Sequence, residues 1–390
     1  MSRTYKLGCL TWWKGNYGSI LQAYALQRKL AIYPNLDYEL LRKDTVKAAT
    51  LSNLFFHLYY QGLWETSKMI MGRFALPGLR RREKRTMHFI ETHLRLSTKV
   101  YTEQDTDALN KDYDGFLVGS DQLWNSSASN ALSYYLLDFA EKEKAKLSYA
   151  PSIGNPKMTS ELTALYRKYL SDFDAISCRE EVGTRLINQL LRDTVCHTVL
   201  DPVMLVQTEV WDNLCKETRK STSLKDEYIF VYLLRGTIEN RKAIERFSRE
   251  TGLPIVTIPI LDSTHWTVYD FKFGDMRVWD CNPVDFISYI RNARFVFTDS
   301  FHCTVFSILY HKPFYLFPKI GENQSARLVD LLERMGISSR YLKENTVDLD
   351  QFEPIDWRNV DERIAKERQS SSNYLDQAIA RMEAKVNGEE

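Results

Sequence analysis

Short apolar runs alternate with helical stretches along this chain, and this alternation constrains its fold more than any other feature. Near the start, residues 5–11 predict a strand, and residues 19–30 predict a helix whose apolar side chains recur near one face. Further strands are predicted at 38–42, 115–118, 146–150, 175–177 and 198–200. Short apolar strands separated by helices are typical of a parallel sheet that is covered on both faces.

The same pattern starts again after a polar stretch at residues 215–226. Residues 227–234 (EYIFVYLL) form the strongest predicted strand, and the charged residues 238–251 predict a helix. Strands at 254–260, 294–298 and 314–317 then alternate with helices at 284–292 and 301–310. We therefore predict an α/β fold in which two doubly wound, Rossmann-like domains face each other across a cleft.

The predicted domains are residues 1–214, with a helical insertion at about 48–95, and residues 215–345. Residues 346–390 predict polar helices that pack back across both domains. Ligands of doubly wound sheets bind at the carboxyl ends of the strands. Functional residues are therefore expected in the loops that follow the strands.

Composition and charge argue against several classes of protein. The net charge is +1, and no basic stripe with interleaved aromatic residues is present, which disfavours nucleic acid as a partner. The six cysteines occur without a CxxC pair and are interpreted as reduced, buried thiols of a cytosolic protein. Neither a signal-peptide core nor an apolar stretch of about 18 residues is present, so we predict a cytoplasmic protein.

The insertion admits two interpretations. Residues 51–74 are rich in aromatic and aliphatic side chains, and residues 79–85 (LRRREKR) add a basic cluster. One interpretation is peripheral contact of residues 51–85 with the inner face of the plasma membrane, where lipid-linked sugars reside. The other is a helical hairpin that packs on the first domain and has a solvated basic end.

Two loops of the first domain carry candidate binding residues. Residues 15–19 follow the first strand and open a helix, where free backbone amides attract anions. The second loop, VGSDQLWN at 118–125, ends a strand and offers a carboxylate for sugar hydroxyls or a proton, together with an indole that could stack on a sugar ring. The alternative interpretations are a tight chain reversal and a helix cap. The candidates in these loops are Gly15, Asn16, Tyr17, Gly18, Ser19, Ser120, Asp121 and Trp124.

Three further strand ends carry charged or titratable groups. Arg179 follows a strand and could bind a carboxylate or phosphate through its guanidinium. His302 lies at a strand end in the second domain, where a histidine can donate a proton near neutral pH. Asn323 and Arg327 open a later helix and could meet a phosphate or only cap that helix.

Taken together and in this order, the motifs resemble those of the polysaccharide pyruvyl transferase family over roughly residues 7 to 335. The segments that carry the resemblance are GNYGSILQAYAL (15–26), VGSDQLWN (118–125), SYAPSIG (148–154), SCREEVG (177–183), VLDPVML (199–205) and TDSFHCTVFSILYHKPF (298–314). The resemblance implies a two-domain fold like that of GT-B glycosyltransferases. It also implies phosphoenolpyruvate as donor substrate and a saccharide acceptor, which is either free or lipid-linked.

The resemblance further links His302 and Arg179 to donor binding and catalysis. With it, we assign His302 as general acid, Arg179 as the clamp for an anionic group, and Asp121 as base or acceptor ligand. No metal or cofactor is required by this scheme, and the chain lacks an H-x-x-E-H motif. The predicted reaction forms a pyruvate ketal on a bacterial exopolysaccharide, capsule or other cell-surface glycan.

Two positions depart from the family pattern. Many members have an arginine where this chain has Ser300, and an aspartate where it has Ser19. Either another cation, Arg327 or Arg235, holds the phosphate, or the donor is different. Two alternative functions therefore stay open: a GT-B-type glycosyltransferase that uses a nucleotide sugar, and a catalytically silent member of a glycan assembly complex.

Overall fold

The computed structural model describes residues 3–43, 77–102, 104–126, 131–154, 158–191, 194–216, 227–260, 268–318, 326–342 and 353–389. The aromatic-rich part of the insertion, residues 51–74, and the candidate Asn323 lie outside the described residues. Among the described residues, no helix is both long enough and apolar enough to cross a membrane.

The first sheet contains five described parallel strands in the order β3-β2-β1-β4-β5. These strands are β1 (Tyr5–Leu10), β2 (Leu36–Lys43), β3 (Leu96–Tyr101), β4 (Gly115–Val118) and β5 (Ala145–Ser148). A short parallel pair, β6 (Ile176–Cys178) and β7 (Cys196–Thr198), continues from β5 through a bridge between Leu147 and Ala175. The strand predicted at 198–200 therefore lies two residues earlier, where its backbone pairs with β6.

The helices around the first sheet are α1 (Tyr17–Leu30), α2 (Pro77–His93), α3 (Thr106–Asp112), α4 (Leu132–Tyr135), α5 (Ser160–Leu170), α6 (Glu181–Leu190), α7 (Pro202–Leu205) and α8 (Thr208–Cys215). All four residues of β4 are buried, as expected for a strand covered on both faces. The order of the strands reverses between β1 and β4. The loops after these two strands therefore meet at a switch point, which is where open parallel sheets bind ligands.

The second sheet repeats this arrangement, with the described strands in the order β10-β9-β8-β11-β12. Its strands are β8 (Ile229–Tyr232), β9 (Ile255–Thr257), β10 (Met276–Arg277), β11 (Phe295–Thr298) and β12 (Phe314–Leu316). Its helices are α9 (Ile238–Thr251), α10 (Pro283–Asn292), α11 (Phe301–Leu309) and α12 (Ala326–Met335), with short 3-10 helices at Val268–Phe271 and Ser338–Arg340. The predicted α/β fold with two parallel sheets is confirmed.

Local sequence signals explain why α9 begins and ends where predicted. The side chain of Thr237 accepts a hydrogen bond from the backbone of Asn240, and the Asn240 side chain accepts one from the backbone of Thr237. This capping box satisfies amides that the first helical turn leaves without partners. Gly252 ends the helix in the left-handed conformation (φ 70°), which a glycine adopts without a steric cost.

The last helix, α13 (Trp357–Asn387), joins the two halves of the protein. Near its start, the Trp357 ring stacks on His311, which follows α11 of the second half. Further along, Tyr374 donates to the Ser148 carbonyl oxygen at the end of β5, and Lys385 pairs with Asp174 at 2.9 Å. The polar helices predicted to pack back over both domains are thus one continuous helix in the structure.

Helix α2 makes a second connection between the halves, through the basic cluster of the insertion. The guanidinium of Arg82 donates to three carbonyl oxygens of the second half, those of Pro259, Val278 and Trp279, at 2.9–3.1 Å. Arg85 donates to the Asp280 carbonyl oxygen at 2.7 Å and pairs with Asp285 at 2.8 Å. These two arginines therefore bind protein groups. Both interpretations of residues 79–85, as a solvated end and as a membrane-docking cluster, placed them facing outward.

We expect Arg82→Lys to lower the free energy of unfolding by about 2 kcal/mol, because a lysine keeps the charge but cannot reach all three carbonyl oxygens. Lys84→Arg, at an exposed position of the same helix, serves as the control and should change it by less than about 0.5 kcal/mol. Urea unfolding monitored by circular dichroism measures both. Equal effects of the two substitutions would contradict the docking role of Arg82.

Candidate active site

The carboxylate of Asp201 lies at the centre of the candidate active site. Asp201 follows β7 and caps α7, where its Oδ1 accepts a hydrogen bond from the Val203 amide at 3.0 Å. Its other oxygen, Oδ2, accepts a hydrogen bond from Arg179 Nη1 at 2.8 Å. The same oxygen lies 3.4 Å from the Ser120 hydroxyl and 3.5 Å from His302 Nε2. One buried carboxylate thus brings together residues from three strand ends.

Burial and charge act in opposite directions on this carboxylate. Burial raises the pKa of Asp201, but the positive charges of His302 and Arg179 outweigh it and hold this pKa well below its ordinary value. For Arg179, burial acts to lower the pKa, whereas Glu180 and Asp201 raise it, with a net rise. The ion pair is therefore charged at neutral pH although both side chains are at most 2% exposed.

Two guanidinium groups approach the ring of Phe301, the first residue of α11. The Cζ atom of Arg179 lies 4.2 Å from the ring centroid, and that of Arg327 lies 5.7 Å from it. Burial, together with the like charge of Arg179, lowers the pKa of Arg327 to about 10. When the Gln122 amide turns its oxygen towards Arg327, that oxygen lies 3.0 Å from Nη1. Two neighbouring cations at a cavity wall favour an anionic ligand.

The guanidinium of Arg179 is only partly satisfied by the protein. Among the described residues, its buried Nη2 has no hydrogen-bond partner. Arg179 lines a cavity between the two halves, which measures about 240 Å³ including space open to solvent and which we call the anion cavity. Charged side chains of this cavity are Arg179, Glu180, Asp201, Arg327, Asp330 and Arg334, and its apolar wall includes Phe301. A buried donor without a partner is costly, so a ligand that accepts a hydrogen bond here is stabilised.

The imidazole of His302 lies directly against the backbone of α1. A Cβ atom at Gly18 would come within 2.0 Å of His302 Nδ1, a distance that real side chains do not adopt. The ring is 6% exposed, and within the described part of the chain its Nε2 forms no hydrogen bond. Gly18 therefore makes room for the histidine, which explains the glycine in the first loop better than anion binding does.

The Asp121 carboxylate is held within its own domain. Its Oδ2 accepts a hydrogen bond from the Ser19 hydroxyl at 2.5 Å, and its Oδ1 accepts one from the Gln122 amide at 2.9 Å. Its backbone adopts the left-handed conformation (φ 76°), which is uncommon for a residue other than glycine. Asp121 and Ser19 are thus a buried pair at the switch point of the first sheet, next to Ser120, whose hydroxyl donates to the Ala150 carbonyl oxygen at 2.9 Å.

Several predicted binding residues have structural roles instead. Trp124 is fully buried and donates from Nε1 to the Tyr135 carbonyl oxygen. Tyr17 is buried between the halves, where its hydroxyl donates to the Cys281 carbonyl oxygen at 2.9 Å. Both aromatic rings belong to the core in this structure, and their contact with a substrate stays a prediction.

Three other predicted positions act as caps or turns. Asn16 caps α1 by accepting from the Ser19 amide, and Gly15 beside it adopts φ 100° in an exposed turn. Ser300 caps α11, its hydroxyl lying 3.5 Å from the Cys303 amide nitrogen. Helix capping therefore accounts for these polar side chains, which are not among the residues that line the anion cavity.

Four charged residues of the site were not singled out from the sequence: Glu180, Asp201, Asp330 and Arg334. Asp201 and Glu180 lie in quoted motifs, and a position directly after a strand was the signal that could have found Asp201. The other two lie on α12, where Arg334 Nη1 donates to the Arg179 carbonyl oxygen at 2.8 Å. Among the described residues, no group of three or more His, Cys, Asp or Glu side chains is placed to hold a metal ion.

Comparisons with known proteins bear on both family and fold. The sequence profile described as polysaccharide pyruvyl transferase matches residues 16–318. No curated protein sequence matches the chain with statistical significance. Solved structures with a similar fold include a Listeria monocytogenes protein described as a UDP-N-acetylglucosamine 2-epimerase, at 10% identity and TM-score 0.52, with 96% of this chain and 91% of that chain covered.

The S. aureus MnaA protein, solved with UDP, is a second such structure. It is 11% identical, with a TM-score of 0.50 and coverage of 93% of this chain and 88% of that chain. At these identities the likeness concerns the fold alone. It confirms the predicted GT-B-like arrangement.

We expect Asp201→Asn to lower the free energy of unfolding by about 3 kcal/mol at pH 7, because buried Arg179 loses its nearest carboxylate. The folded-state pKa of Asp201 is lowered, so this stabilisation is present above about pH 4, near the unfolded pKa, and is lost as the pH falls further. Urea unfolding at pH 7 and in acid measures the difference between the variant and the wild type.

Asp212→Asn is the matched control, because Asp212 pairs with Arg291 at 3.3 Å where both side chains are about one third or more exposed. It should cost less than about 1 kcal/mol. A loss from Asp201→Asn that is no larger than this, or that stays the same down to pH 3, would contradict a buried charged pair.

We expect Gly18→Ala to destabilise the protein by about 1–3 kcal/mol, since the added methyl group displaces the buried His302 ring. Alanine is otherwise the better helix former, so a decrease in the free energy of unfolding would itself indicate the clash. In a His302→Ala background the same substitution should cost less than about 1 kcal/mol. A double-mutant cycle by urea unfolding measures this coupling, and equal costs in both backgrounds would show that Gly18 and His302 act independently.

Proposed function

The chain belongs to the polysaccharide pyruvyl transferase family, and we propose that it transfers the enolpyruvyl group of phosphoenolpyruvate to two hydroxyls of a sugar. The product is a pyruvate ketal on a bacterial exopolysaccharide, capsule or other cell-surface glycan, or on its precursor. The acceptor is a saccharide, free or lipid-linked. We place the reaction in the cytoplasm, with residues 51–85 as the candidate region for contact with the inner face of the plasma membrane, except Arg82 and Arg85, which bind groups of the second half.

The observation that carries this proposal is the partly unsatisfied pair of guanidiniums at Phe301. Arg179 offers a buried Nη2 without a partner among the described residues, and Arg327 lies on the same cavity wall. Phosphoenolpyruvate has two anionic groups, a carboxylate and a phosphate, and guanidiniums bind both in a fork. A donor with two anionic groups therefore suits a cavity with two adjacent arginines.

Arg327 also offers a cation in place of the arginine that this chain lacks at Ser300. Many members of the family carry an arginine at that position, whereas the Ser300 hydroxyl here only caps α11. The side chain of Arg327 comes from α12 and lies beside the same phenylalanine ring that Arg179 contacts. We assign Arg327 as the cation that replaces the missing arginine, with Arg179 as its partner in donor binding.

The proposed reaction balances without a metal or a redox partner. The methylene carbon of phosphoenolpyruvate gains one proton, and the first sugar hydroxyl forms a bond to its C2. The second hydroxyl then forms another bond to C2 as the bond to phosphate breaks. One of the two hydroxyl protons restores the acid that protonated the methylene carbon, and the other leaves with phosphate.

His302, which lies next to Asp201 and not on the wall of the anion cavity, is the proposed acid for the methylene carbon. Its Nε2 lies 3.5 Å from Asp201 Oδ2, and histidine is the side chain best suited to donate a proton near neutral pH. Gly18 fixes the other side of the ring. Asp201 thus acts as a positioning residue, because its Oδ2 accepts a hydrogen bond from Arg179 and lies 3.5 Å from His302 Nε2.

We expect wild-type protein to bind phosphoenolpyruvate saturably in calorimetric titration, and Arg327→Gln to weaken this binding by about 10- to 100-fold. The physical reason is the loss of a charge-assisted hydrogen bond. Arg327 is only partly buried, so the variant should still fold. Arg185→Gln, at an exposed position of α6, is the control and should bind within about twofold of the wild type.

Absence of phosphoenolpyruvate binding to the wild type would contradict the proposal. In that case, saturable binding of UDP or GDP sugars would support the nucleotide-sugar glycosyltransferase. Binding of a saccharide with neither donor would support the catalytically silent member of an assembly complex. Equal effects of the Arg327 and Arg185 substitutions on phosphoenolpyruvate affinity would show that Arg327 does not bind the donor.

A further inference from the structure

A second cavity of about 340 Å³ adjoins the anion cavity. The two cavities share Glu180, Arg327 and Asp330, and the second one is otherwise lined by Ile153, Gly154, Val182, Gly183, Leu186 and Ala326. This volume includes space that is open to solvent, so the second cavity is a cleft at the protein surface. A ligand bound in this cleft would be in direct contact with the anion cavity.

The carboxylate of Glu180 lies where the two cavities meet. The residue is 5% exposed, and its Oε1 lies 3.4 Å from Arg179 Nε. Its Oε2 is buried and has no hydrogen-bond partner among the residues that the structure describes. The side chain makes no capping bond to α6, although Glu180 precedes that helix. A buried carboxylate oxygen in this state requires a donor, which a ligand in the cavity can supply.

The charges of the two cavities suit different ligands. Arg179, whose guanidinium has an unsatisfied nitrogen, lines only the anion cavity, whereas Glu180, whose carboxylate has an unsatisfied oxygen, lines both cavities. Burial raises the pKa of Asp330 to about 6, an effect that Arg334 opposes and the negative charge of Glu180 reinforces. Two neighbouring carboxyl groups disfavour a second anion and favour a neutral ligand with hydroxyl donors. Val182 and Leu186 offer apolar surface for the C–H face of a sugar ring.

We infer that this second cavity is the acceptor subsite, that it binds one neutral pyranose ring, and that Glu180 accepts the proton of the attacking hydroxyl. This inference rests on the proposed function, since it names the place of the sugar in the same reaction. Asp121, the base expected from the sequence, is less suited, because both its oxygens already accept hydrogen bonds from Ser19 and Gln122.

The proton transfers are balanced. As the hydroxyl oxygen bonds to C2 of the donor, its proton passes to Glu180, and His302 gives a proton to the methylene carbon. When the second hydroxyl bonds to C2 and the bond to phosphate breaks, the proton of that hydroxyl passes to His302. The proton on Glu180 then leaves with phosphate, so both side chains return to their starting states.

The first test fills the cavity and measures sugar binding by saturation-transfer difference NMR. The probes are the methyl α-glycosides of glucose, galactose and mannose, each with and without phosphoenolpyruvate. We expect the wild type to transfer saturation to at least one glycoside, and Val182→Trp, which places an indole in the acceptor subsite, to abolish the transfer. Gln189→Trp, at an exposed position of the same helix outside the cavity, should leave it unchanged.

The second test removes the charge of Glu180 without changing the shape of its side chain. We expect Glu180→Gln to weaken binding of that glycoside about 10-fold, because a hydrogen bond to a charged acceptor becomes one to a neutral acceptor. Because Glu180 also lines the anion cavity, loss of its negative charge should strengthen calorimetric affinity for phosphoenolpyruvate, so the two affinities should change in opposite directions. Glu181→Gln, the exposed neighbour, is the matched control and should change neither value by more than twofold.

The outcomes separate this inference from the proposed function. A wild type that binds phosphoenolpyruvate but none of the glycosides overturns the acceptor subsite and leaves the donor assignment standing. Glycoside binding that survives in Val182→Trp, or that is unchanged in Glu180→Gln, also overturns it. Glycoside binding that depends on Val182 and Glu180 without any phosphoenolpyruvate binding supports the subsite and rejects the donor.

Discussion

The ion pair between Asp201 and Arg179 is the interaction on which the site depends. Both side chains have lost nearly all contact with water, so each needs the other to remain charged. The same carboxylate oxygen faces His302 from the second half of the protein, across the cleft. The desolvated pair therefore serves the association of the two halves as well as the electrostatics of the cavity between them.

Two positively charged side chains lie next to the ring of Phe301. Arg179 and Arg327 both lie against its ring, and their mutual repulsion contributes to the lowered pKa of Arg327. Acidic groups of the same cavity balance this positive charge, but Nη2 of Arg179 has no hydrogen-bond acceptor within the described residues. An anionic ligand would supply that acceptor and relieve the repulsion. Affinity for an anion thus depends on how the two halves pack together, because the two arginines come from different halves.

The sequence was sufficient to predict features that depend on local pattern. The strand-end rule identified Arg179, Asp121 and His302, because parallel strands bring their carboxyl ends to one edge. Strands β3 and β10 were missed, since β3 exposes three of its six side chains and β10 has only two residues. The burial of Trp124 could not be predicted, because motif position cannot tell a core ring from an exposed one. Asp330 and Arg334 could not be found, because their place in the site depends on how α12 packs against the first half.

Helix α13 has a mechanical consequence for the cleft. Its first turns contact the second half, its last turns contact the first half, and Glu367 near the crossing pairs with Arg334, which in turn holds the Arg179 carbonyl oxygen. With about 1.5 Å of rise per residue, the helix is a rod of roughly 46 Å fixed at both ends. Because this one helix is anchored in both halves beside the arginine cavity, any displacement of one half against the other would have to bend the helix or break its contacts.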